Sequence, residues 1–132
     1  MLRIIVALVL IAHGLGHSMG VLGAWTTIPS GLTNRPWLFA GGVLLDSGMG
    51  RVWGVLWLAA LLVTTAGGVG LLLQQDWWRG VAVAGAVLSL VAIVPWLAAM
   101  PPFSAFGAVA VDILVLAILL LPVGEQLVSR LR

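Results

Sequence analysis

The chain has 132 residues, 62% of them hydrophobic and 8% charged, with a mean hydropathy of +1.21. A soluble domain carries about a quarter charged residues, so a water-facing surface is excluded and an integral membrane protein is implied. Six arginines, no lysine and four acids give a net charge of +2, and there is no cysteine; the arginines border apolar runs, which excludes a nucleic-acid partner, and disulfides, thiol redox chemistry and thiolate metal sites are excluded too.

Four apolar runs meet the ~20 residues needed to cross ~30 Å of hydrocarbon. They are Leu2 to Ala24, Arg51 to Leu73, Trp77 to Leu97 and Phe103 to Leu121. The opening Met1-Leu2-Arg3 and the apolar Ile4 to Ala12 have the look of a signal peptide. The run continues past the usual length, two histidines interrupt it, and no clean Ala-x-Ala site follows. It is read as a retained helix.

Within that first helix lies Ile11-Ala12-His13-Gly14-Leu15-Gly16-His17-Ser18-Met19-Gly20. His13 and His17 are four apart and share a helix face, Gly20 continues it, and Gly16 lies beside it. Titratable side chains are expensive in a membrane, and small residues permit close helix approach. This face is expected to point into a bundle.

The only long loop runs from residue 25 to 50 and holds Pro29, Pro36, Gly31, Gly41, Gly42, Gly48 and Gly50, which argue against continuous helix. Its apolar centre, Trp37 to Leu45, is too short to span; a short hairpin or an interfacial element is expected, in a loop that is either a lid or an ordinary connection. The Gln74 to Arg79 turn is tight, and so is Ala98 to Pro102, where Pro101-Pro102 ends one helix and starts the next. The fold class is therefore all-α: an up-down four-helix polytopic membrane bundle forming a single domain. Trp25, Trp53, Trp57 and Trp96 toward one face, and Trp77 and Trp78 at the other, are read as interfacial anchors. Arg3, Arg79, Arg130 and Arg132 lie on the side of the termini and Arg35 and Arg51 on the other, which places both termini in the cytoplasm. The small residues Gly80, Ala82, Ala84, Gly85 and Ala86 give the third helix a close-packing face, within the bundle or between protomers.

A rise of ~1.5 Å per residue puts His17 roughly 12 Å, His13 roughly 18 Å, Asp112 about 15 Å, Thr64 and Thr65 about 20 Å and Ser89 about 13 Å below the outer edge. Each helix thus contributes to one polar layer. An ionised carboxylate at the depth of Asp112 needs a partner. Only His13 and His17 are available, so helices one and four are expected to meet there. Two histidines and a carboxylate are the minimum for one divalent metal with an open position. The same residues equally suit a proton relay, or a hydrogen bond that fixes helix register. Of the other charges, Asp46 is expected to pair with Arg51, while Asp76, Arg79, Glu125, Arg130 and Arg132 are read as solvated or in lipid headgroups.

His13-Gly14-Leu15-Gly16-His17, Gly54-Val55-Leu56-Trp57-Leu58-Ala59-Ala60, the Trp77-Trp78 turn, and Phe106-Gly107 ahead of a polar residue together resemble a group of small, uncharacterised bacterial four-helix membrane proteins. In that group the polar residue of the last helix is often Asn, from which Asp112 departs. The resemblance implies a location in the bacterial cytoplasmic membrane and carries no activity with it.

Three functions are open at this point. One is an accessory subunit or binder of lipid or another small hydrophobic molecule, with the cluster as internal glue. Another is a metal-dependent intramembrane enzyme using His13, His17 and Asp112. The third is an oligomeric proton-coupled carrier; in each case the expected partners are the lipid bilayer and a homo-oligomer or larger membrane complex. Gly16, Gly20, Ala82, Gly85 and Ala86 are the expected helix-packing positions.

Overall fold

The structure, a computed structural model, describes residues 1–39 and 42–131. Gly41 of the loop and Arg132 of the orientation count lie outside the described residues. The chain is all-helical, with no strand among the described residues. Its elements are α1 (Leu2–Gly16), α2 (Ser18–Trp25), α3 (Gly48–Leu72), α4 (Trp78–Ile93), a 3₁₀ segment (Val94–Ala99), α5 (Pro102–Leu120), a 3₁₀ turn (Pro122–Gly124) and α6 (Glu125–Ser129). Four units are long and apolar enough to cross a membrane: Leu2–Trp25, Gly48–Leu72, Trp78–Ala99 and Pro102–Leu120.

Two of the expected helices are not uniform. The first breaks at His17, whose N–H bonds to the Gly14 carbonyl at 3.1 Å while its own carbonyl accepts from Gly20 N–H at 3.1 Å. Bonds three residues apart tighten the turn to 3₁₀ geometry and separate α1 from α2. The third helix changes to 3₁₀ at Val94 because Pro95 has no N–H for the α-helical ladder. The other ends follow their capping chemistry. Ser47 caps α3, its hydroxyl accepting from Gly50 N–H at 3.1 Å, and Pro102 opens α5 at a position where the missing N–H is harmless.

Close approaches fix the topology. In order along α1 and α2, Ala7, Gly14, Gly20 and Ala24 meet Gly68, Thr65, Trp57 and Gly54, so α3 runs antiparallel to them. Across the other side of α3, Gly67 meets Ala82 and Thr64 meets Gly85, again antiparallel. The neighbouring glycines 67 and 68 therefore serve opposite partners, and α3 is the central helix. α5 packs on α4, where Asp112 reaches Ser89 and Leu119 reaches Arg79. α5 and α1 stand apart, and that open seam is the feature from which the site is built.

One end of the bundle is closed by the long loop. Thr33 N–H donates to the Ala99 carbonyl at 2.8 Å, Trp37 N–H to the Pro95 carbonyl at 3.3 Å, and the Trp37 indole to the Val94 carbonyl. Asn34 ties the loop's two halves: its carbonyl accepts from Leu45 N–H at 2.7 Å and its amide donates to Asp46 Oδ1 at 3.1 Å. The loop is thus a docked cap; Trp37 to Phe39 form a turn, and the rest of the expected hairpin or interfacial element includes residues 40 and 41, outside the described residues. Asp46 bonds Asn34, and the ion pair expected with Arg51 is absent among the described residues.

Two tryptophans depart from the interfacial role. Trp57 and Trp96 are 1% and 0% exposed and belong to the core with Ala60, Ile93 and Ala105. Trp25, Trp37 and Trp77 remain about half exposed.

At the opposite end α6 folds back, burying Val128 and Leu131 against Ala7, Leu10 and Trp78. Arg79 is not solvated as expected: Nε donates to the Leu119 carbonyl at 3.0 Å and Nη2 to Glu125 Oε1 at 2.8 Å. It supplies donors to the unpaired carbonyls ending α5. Glu125 is largely exposed, so Glu125→Gln is expected to change stability by less than ~1 kcal/mol. Arg79→Ala also strands the carbonyl and is expected to cost more. Thermal unfolding of the two variants in detergent, followed by circular dichroism, checks that order.

A polar cluster beneath an open cleft

Three helices bring the polar cluster together. His13 comes from α1, Ser89 from α4 and Asp112 from α5. His13 Nε2 lies 2.8 Å from Asp112 Oδ1 and 3.2 Å from Ser89 Oγ, and the Ser89 hydroxyl donates to Asp112 Oδ2. Asp112 and His13 are 1% and 9% exposed. Both carboxylate oxygens are therefore engaged, which is what makes a buried carboxylate tolerable. The expected meeting of the first and last long helices is real, but it runs through these side chains and not through close backbone packing.

The same geometry limits the chemistry. A serine nucleophile needs one histidine nitrogen on the hydroxyl and the other on the carboxylate. Here Asp112 and Ser89 both face Nε2, and the serine proton is directed at the carboxylate. Ser89 is therefore not activated. Among the described residues no group of three His, Cys, Asp or Glu is placed to hold a metal ion. The Nε2 that would coordinate faces Asp112 instead, and His17 turns to its neighbours' rings.

Those rings form a short aromatic row. His13 and His17 meet edge to face with centroids 5.1 Å apart, and His17 meets Trp57 in the same way at 5.6 Å. His17 and Trp57 are 2% and 1% exposed, and neither His17 Nε2 nor Trp57 Nε1 has a hydrogen-bond partner. Unpaired buried donors are uncommon and call for an explanation.

Beside the row lies a cleft of about 290 Å³ between α1–α2 and α5. His13, His17, Trp57 and Ile93 line it from within, and Gly16 and Gly107 are on its two walls. Neither glycine has any atom within 4 Å of where a Cβ would stand. They leave open space where the packing glycines leave none. A larger hollow of about 860 Å³ lies under the loop by Trp25, Asn34 and Arg51, and is polar and open to solvent.

Of the residues predicted to share the polar layer, His13, His17, Asp112 and Ser89 do so. Thr64 and Thr65 lie alongside them, against Gly85 and Gly14 at the helix crossings, and their hydroxyls make no hydrogen bond to the cluster. Gly20, Ala82, Gly85 and Ala86 pack as expected, with Gly20 seated on the Trp57 ring. Gly16 does not pack. Trp57 is the site residue that the sequence reading misplaced; nine residues into α3, at ~1.5 Å each, it lies at the depth of His17, too deep for a belt residue. No family model, curated protein or solved structure matches the chain.

Proposed function

We propose that the protein is an integral protein of the bacterial cytoplasmic membrane, with cytoplasmic termini, that takes a small hydrophobic molecule into the cleft between α1–α2 and α5. The cleft itself carries this reading: it is mainly apolar, it is partly open, and two unobstructed glycines line it. Binding sites of this kind combine apolar walls with a few placed polar groups. Four long apolar units and the arginine distribution support the membrane setting. The His13–Asp112–Ser89 cluster serves as glue that holds α5 at a fixed distance from α1. On the outer face of α5, Phe103 and Phe106 are 93% and 76% exposed, which suits lipid or a partner subunit in a larger complex.

The test is a co-purification. Protein extracted in mild detergent is expected to retain a lipid-soluble molecule, detected by mass spectrometry of an organic extract. A Cβ on Gly107 meets no atom within 4 Å, so Gly107→Leu directs its side chain into the cleft without backbone strain, and is expected to lose that molecule while keeping its thermal stability. Equal retention by both proteins, or none by the wild type, overturns the proposal.

A further inference from the structure

We infer that the cleft selects a neutral molecule whose head is a planar, carbonyl-bearing ring and whose tail is apolar. This rests on the cleft being a binding site, and it names the chemistry of the ligand from the groups left unpaired there.

Trp57 Nε1 is a donor only, so whatever satisfies it must accept a hydrogen bond. His17 Nε2, one ring away, can donate as well. A carbonyl oxygen has two lone pairs and can take both N–H groups while bringing no donor of its own. A hydroxyl would add a donor, and the nearby carboxylate is already taken on both oxygens by His13 and Ser89. An anion is disfavoured because no arginine lies along the cleft and the sequence has no lysine.

Shape gives the ring. Gly16 and Gly107 face the space from opposite helices, and the rings of His13, His17 and Trp57 supply flat surfaces at its base, with Phe103 at its edge. Aromatic surfaces favour a stacked or edge-on ring partner. About 290 Å³ accommodates one ring head, and the exposed Phe103 on its lining offers the tail an apolar surface to run out along. In the empty protein the two nitrogens are buried without a partner, so occupancy includes a small rotation of His17 and Trp57 that turns them to the cleft.

The experiment uses the full chain in phosphatidylcholine nanodiscs and two probes with the same tail, 2-decyl-1,4-benzoquinone and decylbenzene. Binding is read as the rise in unfolding temperature during titration. Wild type is expected to bind the quinone more tightly than decylbenzene, and Gly107→Leu to weaken both by at least tenfold. Trp57→Phe keeps a ring and removes the donor; it should weaken the quinone roughly fivefold, the value of one hydrogen bond, and leave decylbenzene unchanged. His17→Leu is the second variant should Trp57→Phe unfold, and is expected to show the same selectivity. Equal binding of the two probes by wild type, or parallel losses in the donor variants, overturns carbonyl recognition and leaves the cleft standing. If Gly107→Leu binds both probes like wild type, the cleft reading itself fails.

Discussion

Asp112→Ala is expected to lower stability by about 3 kcal/mol, because it removes two hydrogen bonds to a buried carboxylate, at ~1.5–3 kcal/mol each. His13 Nε2 and Ser89 Oγ both lean on this carboxylate, and without it the hydrogen bond left to them among the described residues is the longer one between the two, at 3.2 Å. Asp112→Asn should behave differently. The amide oxygen can take the Ser89 proton, and its NH₂ can donate to His13 Nε2 once the histidine carries its proton on Nδ1. Every group stays paired, so a loss below ~1 kcal/mol is expected. The measurement is the unfolding midpoint in mixed micelles by circular dichroism. Equal losses in the two variants would show that the carboxylate's charge matters and that hydrogen-bond glue is the wrong description.

The sequence made this cluster legible for a simple reason. In an apolar helix, the few groups that need partners can satisfy one another only at matching depths, and counting residues from the helix ends gives depth. That logic found His13, Ser89 and Asp112 on three different helices. It gave no partner for Thr64 and Thr65, whose hydroxyls are buried at helix crossings without a hydrogen bond among the described residues. It was not applied to the tryptophans, although the depth of Trp57 matches that of His17. The loop's docking was hidden as well: Asn34 and Trp37 bond to backbone carbonyls and amides, which leave no trace in side-chain identity. Nor could the helix break at His17 be read from a uniformly apolar run. Glycines were the most ambiguous letters. A glycine marks either the closest contact between two helices or a space kept empty, and composition does not distinguish them.

Replacing Gly14 and Gly16, two residues apart on α1, with alanine is therefore expected to give opposite results. A Cβ on Gly14 would stand 2.7 Å from Thr65 N and 3.1 Å from Leu61 O, both backbone atoms that cannot rotate aside. α1 must then move off α3, and Gly14→Ala is expected to cost about 2 kcal/mol, within the usual range for overpacking. The strain should also reach the cleft, because His13 and His17 ride on the same turns of helix. Gly16→Ala meets nothing within 4 Å. It should be neutral or stabilising by roughly 0.5 kcal/mol, through the better helix propensity of alanine. Any effect it has should instead fall on binding, because the added methyl projects into the cleft. Unfolding midpoints and ligand retention, measured on both variants, separate the two roles. If Gly14→Ala is as stable as wild type, the α1–α3 contact is looser than drawn. If Gly16→Ala is the variant that unfolds, the seam between α1 and α5 is closed, and no cleft exists for a ligand to occupy.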